Sequence, residues 1–123
     1  MPSCQEHLDK ARLNESFSKH FDLNKTPYKD WAVLGAFYSA LHYVEAYLAK
    51  HGIHPINHGE RYKCITRDAK LKPIWRSYRD LKHLRDLAAY DVKSFSSTEI
   101  QNDVFLALVG VKLTIESLGI TVN

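Results

Sequence analysis

An arginine set where a helix should be apolar is the first residue in this chain with chemistry to offer. Arg85 falls on the line Ile74, Tyr78, Leu81, Arg85, Ala88, one face of a helix at the helical period. A charge on such a face is paired or faces an interface. Asp86 follows directly and Tyr90 comes five residues on. Five residues at 3.6 per turn put Arg85 and Tyr90 roughly 140° apart around an intact helix. They serve one phosphate if the helix ends or unwinds near Tyr90, or if the groups converge across a dimer axis. Asp86 and Tyr90, at i and i+4, share a face. The competing use is structural: Arg85 pairs with Glu45 or Asp86, and Tyr90 packs.

Histidines supply the candidates for proton transfer, because imidazole alone titrates unperturbed near neutral pH. His42 sits on a stripe with Trp31, Gly35, Tyr38 and Glu45, a face that needs a polar partner. His42 is a candidate catalyst or a hydrogen-bonded core histidine. His58 and Arg61 stand where a helix begins and can bind phosphate, and Arg79 joins them as a candidate phosphate-binding cation. His51, His54 and His58 form an H-x-x-H-x-x-x-H series, but Gly52 and Pro55 break the helix that would align them, so no metal is expected. Walker A, G-x-G-x-x-G, G-x-S-x-G and H-E-x-x-H patterns are all missing, which sets aside many familiar enzymes.

The charge is unevenly spread. His58 to Arg85 holds nine Lys or Arg against three acids, a net +6, and the remainder carries −3 of a total of +3. Clustered cations concentrate phosphates, so this middle reads as a polyanion site or as a solvated helix face. The chain is 45% hydrophobic and 25% charged over 123 residues, ordinary usage for one globular domain spanning 1–123. No apolar run approaches the roughly 20 residues that cross a bilayer, and the first residues lack the regions of a signal peptide, so a cytoplasmic location is expected. Cys4 and Cys64 form no C-x-x-C pair and are expected to be reduced.

The elements that must position these groups are helices. Ser3 with Glu6 has the spacing of a capping box and opens a helix to about Phe21. Asp30 can cap a second, ended by Gly52, whose Leu34, Phe37, Leu41, Val44 and Leu48 are spaced 3, 4, 3, 4. Asn57 and Glu60 open a short third helix through about Asp68, and Pro73 suits the first turn of a fourth reaching Tyr90. Ser96 and Glu99 start a last helix ending near Gly119, with core positions Val104, Leu108, Val111, Ile115 and Leu118. The fold expected is all-α: a four-helix up-and-down bundle with an additional short helix between the second and third long helices.

Three segments in this order, Phe37-Tyr38-Ser39-Ala40-Leu41-His42, His58-Gly59-Glu60-Arg61 and Arg85-Asp86-Leu87-Ala88-Ala89-Tyr90-Asp91, resemble the HEPN domain family, most clearly from Trp31 to Asp91. The resemblance implies a small helical bundle, often a homodimer, found in toxin–antitoxin pairs and beside nucleotidyltransferase-like partners. Many members are metal-independent endoribonucleases that need no cofactor. Their motif is an arginine, a polar residue, three variable positions and a histidine, and two protomers join their motifs in one cleft. Arg85 and Asp86 match its first two positions, and Tyr90 replaces the histidine. Cleavage through the ribose 2′-hydroxyl needs a proton acceptor, and an ordinary phenol, protonated to about pH 10, is a poor one. If RNA is cut, Arg85 stabilises the phosphate and His42 or His58 moves the proton. The rival from another class is a protein-interaction or nucleotide-binding bundle without enzymatic activity.

Overall fold

In the computed structural model, which describes residues 1–120, the Ser3 hydroxyl accepts the Glu6 amide at 3.1 Å and the Glu6 carboxylate accepts the Ser3 amide at 3.0 Å. This closed capping box starts α1, Cys4–Lys19. The second helix, α2, covers Lys29–Lys50. It begins one residue before Asp30, because the Trp31 amide already donates to the Tyr28 carbonyl at 3.1 Å. Asp30 therefore lies inside the first turn instead of capping it, where its charge still suits the helix dipole. At the far end Gly52 adopts φ 74°, and the amides of Gly52 and Ile53 return to Ala49 and Leu48 at 3.0 and 2.9 Å. Glycine enters that left-handed conformation without steric cost, so it closes the helix.

Asn57 accepts the Glu60 amide at 2.8 Å and starts α3, His58–Arg67. A 3₁₀ turn, Lys72–Ile74, carries Pro73 into α4, Trp75–Tyr90. Ser96 and Glu99 close a second complete box. The helix they open is not uniform: α-helix over Ser97–Glu99 widens to a π-helix at Ile100–Phe105 and tightens again over Leu106–Ser117. These pieces together are α5. No strand occurs among the described residues.

The helices pack around α2, which meets α1, α4 and α5, while α4 also meets α5. Phe37, Leu41, Val44 and Leu48 are buried as their spacing requires, with Leu34 half-buried. Val104, Leu108, Val111 and Ile115 face them from α5, and Leu118 lies at the edge. Each fully buried side chain of this size contributes about 1.5–3 kcal/mol. The buried apolar residues form one cluster; residues 121–123 lie outside the described residues.

Gly35 lets α1 come close, since a methyl group there would stand 2.9 Å from the Phe17 ring and 3.1 Å from Ser18 Cβ. The Ser39 hydroxyl donates to the Ala11 carbonyl at 2.8 Å across the same contact. Glu15 ties three helices together, accepting from Tyr43 at 2.9 Å and from Lys112 and Lys19 at 3.1 Å. No described helix is long and apolar enough to cross a membrane. Cys4 and Cys64 are unpaired, and burial pushes both thiols up.

Candidate functional site

Arg85 projects from the last third of α4 toward α2, between Leu81 and Ala88 on the buried line of its helix. Its side chain is only 13% exposed. One terminal nitrogen donates to the Tyr38 hydroxyl at 2.8 Å and the other to Asp86 Oδ1 at 2.8 Å. The guanidinium carbon lies 5.5–5.7 Å from the ring centres of Phe37, Tyr38 and Tyr90. Those distances suit cation–π attraction. Its Nε–H is buried and has no hydrogen-bond partner. A charged donor left unmatched and closed to solvent is costly.

Asp86 does not neutralise the site, because Lys82 Nζ also donates to it, at 2.6 Å. Two cations therefore share one carboxylate. Burial opposes its ionisation, but the bonds from Lys82 and Arg85 outweigh burial and hold the carboxyl below its usual range. Tyr90, the last residue of α4, is 79% exposed. The helix ends there, and the length of the arginine side chain brings the two groups together within one chain despite their angular separation. Arg79 stands on the outer face, i−3 from Lys82, exposed and 3.9 Å from Asp80.

The second half of the site comes from α3. His58 lies 6.2 Å, ring to ring, from Phe37, the residue that also meets Arg85. Its Nδ1 accepts from an Arg61 terminal nitrogen at 3.0 Å. Arginine can only donate, so a neutral His58 carries its proton on Nε2 and presents a donor. Burial, then the cations Arg61, Lys82 and Arg85, lower its pKa against the pull of Asp86, favouring that neutral form. Arg61, expected as a phosphate ligand at the surface, is instead buried at 8% exposure with Nε 2.6 Å from Glu45, itself 5% exposed. The helix turns it inward, so its contribution is to hold Glu45 and fix the His58 ring. The fully buried Tyr78 hydroxyl has no hydrogen-bond partner, and burial pushes this phenol up against the influence of Arg61.

His42 belongs to a different cluster. Its Nδ1 is 3.0 Å from Nδ1 of His7, 35 residues earlier, and the rings stack with centres 5.3 Å apart. One ring donates and the other accepts, which uses the Nδ1 of each. His42, His7, His54, Glu45 and Arg61 line a separate cavity of about 330 Å³. Burial, with repulsion from His7, Lys10 and Arg61, lowers the His42 pKa to about 4, and burial lowers that of His7. Groups harder to protonate folded than unfolded leave stability intact above their ordinary value near 6.5 and drain it as pH falls toward the folded value. We expect a loss on the order of 1–2 kcal/mol between pH 6.5 and 4, partial exposure included. Urea midpoints across that range measure it; His42→Gln should flatten the curve, and an unchanged slope would acquit the pair.

The residues of the polar stripe on α2 thus each find a partner: Tyr38 with Arg85, His42 with His7, Glu45 with Arg61. Tyr38 and Lys82 join the site without having been singled out for it; the stripe itself was the available signal for Tyr38. Among the described residues no group of three or more His, Cys, Asp or Glu stands so as to hold a metal ion. Compared with family models, curated proteins and solved structures, the chain matches none.

Proposed function

We propose that this chain is an RNA-interacting, HEPN-like domain, an up-and-down bundle that acts as a cytoplasmic homodimer and grips RNA phosphates at Arg85. The observation that supports this most is the largely buried Arg85 guanidinium, whose counter-ion Asp86 is shared with Lys82. Two cations on one carboxylate leave net positive charge at the site, which favours an anion with several acceptor oxygens. His58, its Nδ1 held by Arg61 and its proton on Nε2, adds a second donor beside Phe37. Tyr38 and Tyr90 offer ring faces on which a base can stack.

The same geometry favours binding over cutting. Ribonuclease chemistry needs a group free to accept the 2′-hydroxyl proton. His58 Nδ1 is occupied by Arg61, Asp86 is spanned by two cations, and His42 lines a separate cavity with His7. The expected result with purified protein in chelator is RNA binding that weakens steeply from about 50 to about 200 mM salt, with no cleavage. Cleavage under those conditions would overturn the binding-only version and restore the metal-independent endoribonuclease, a toxin-type activity. No binding at low salt would overturn the RNA reading altogether.

One observation favours the second reading, a bundle without enzymatic activity that binds a nucleotidyltransferase-like protein or a nucleotide. Tyr90, Val92 and Trp31 are exposed near the ends of the helices that form the site. An apolar protein contact there would be insensitive to salt, which separates the two readings.

A further inference from the structure

The cations of the chain's middle segment do not all converge on Arg85. Lys63 and Arg67 lie one turn apart on the exposed side of α3, Lys70 follows in the connecting turn and Lys72 in the 3₁₀ turn, and Arg76 and Arg79 continue on α4 at spacings of 4 and 3. All six are exposed. The 3₁₀ turn packs against both α3 and α4, so these residues border one junction. Among the described residues, Lys63, Arg67, Lys70, Lys72 and Arg76 form no ion pair, and Arg79 has only Asp80 at 3.9 Å.

The acids that would ordinarily balance them are committed elsewhere. Glu60 accepts the Ile56 amide at 2.8 Å. Asp68 accepts the Tyr47 hydroxyl at 2.9 Å and the amides of Lys70 and Leu71. Arg76 also sits in the opening turn of α4, which carries no acidic residue, so its charge opposes the helix dipole. A solvated face chosen for stability would place its charges the other way round. These cations therefore repel one another and their helix, at a cost that bound phosphate would remove.

We infer that the α3–α4 junction is a second phosphate-binding surface, a track that holds the sugar-phosphate backbone of a single RNA strand. Arg76 and Arg85 are nine residues apart, about 14 Å along the axis but on opposite sides of α4, so the track is a surface separate from the Arg85 site. The track carries no base-reading geometry, so it supplies affinity without sequence preference. The identity of the strand rests on the RNA reading of the Arg85 site; the surface itself rests on the unpaired cations.

The test is a salt titration of binding to an unstructured oligouridylate strand, read as the slope of log affinity against log salt. Lys72→Gln/Arg76→Gln/Arg79→Gln should reduce the magnitude of the slope by about 2, since each phosphate contact on a single strand contributes roughly 0.7. The control Lys10→Gln/Arg12→Gln/Lys25→Gln removes the same net charge from exposed positions on and after α1 and should leave the slope unchanged. Equal slopes for the two triple variants, or no change in the first, would overturn the track. Arg85→Ala is run beside them: a normal slope loss in the track variant with no effect of Arg85→Ala sinks the Arg85 reading and spares this one, and the reverse pattern does the opposite.

Discussion

Glu45→Ala is expected to lower the free energy of unfolding by about 3–5 kcal/mol, the cost of stranding one member of a buried ion pair. The carboxylate it removes is the hydrogen-bonded counter-ion of Arg61, whose side chain is only 10% exposed. The fully buried Tyr78 hydroxyl is unpartnered, but a neutral oxygen accepting from Arg61 would not replace a full counter-charge. A domain of this size has only about 5–15 kcal/mol in hand, so the variant should melt far below the wild type. Urea unfolding at neutral pH is the measurement. Glu45→Leu/Arg61→Leu should recover most of the loss, because removing both charges also removes their desolvation. A loss under about 1 kcal/mol for Glu45→Ala would mean that Arg61 finds water or another acceptor, contrary to its burial.

The second large effect is on binding. Arg85→Ala should weaken RNA affinity by about 10- to 100-fold at low salt, since hydrogen bonds to charged groups are each worth about 1.5–3 kcal/mol. Arg85→Lys should not rescue it. An ammonium keeps the charge but cannot donate to Tyr38 and Asp86 and still present a third N–H in the plane between aromatic faces. Filter binding or fluorescence anisotropy with matched unfolding curves would separate lost affinity from lost fold. Unaltered affinity in Arg85→Ala, with the variant folded, would remove the central residue of the proposed site.

Local signals were the legible part of this chain. Ser3 with Glu6 and Ser96 with Glu99 are caps whose partners lie three residues away, and both close as their spacing requires. Helical periodicity placed Phe37, Val44, Val104 and Ile115 in the core for the same reason: burial of a face is written into every third or fourth residue. Asp30 was less legible because a helix can start a residue earlier whenever the backbone bond forms first. The π-helical passage in α5 left no mark in the apolar spacing, which continues through it from Ile100 to Val104.

For the site, the sequence shows which residues need partners but not which partners they take. The stripe of Tyr38, His42 and Glu45 announces a demand for polar company, and Arg85 announces an unusual charge. Matching Tyr38 to Arg85, 47 residues on, or His42 to His7, is decided by how helices pack. Arg61 shows the hazard most clearly. Beside His58 at a helix start it reads as an exposed cation, yet the way α3 lies on α2 aims it at Glu45, and only its neighbour His58 still presents a donor.

The broad contact between α1 and α2 also bears on how the chain assembles. These helices are neighbours in sequence, joined by residues 20–28, so their docking closes a short loop at small entropic cost. During synthesis they emerge before α4 and α5 and can pair as a hairpin ahead of them. That hairpin would still bare Phe37 and Val44, whose cover arrives only with α4 and α5. This stretch of the nascent chain therefore passes through an interval with a sticky, half-finished surface, which ends when α4 and α5 have left the ribosome.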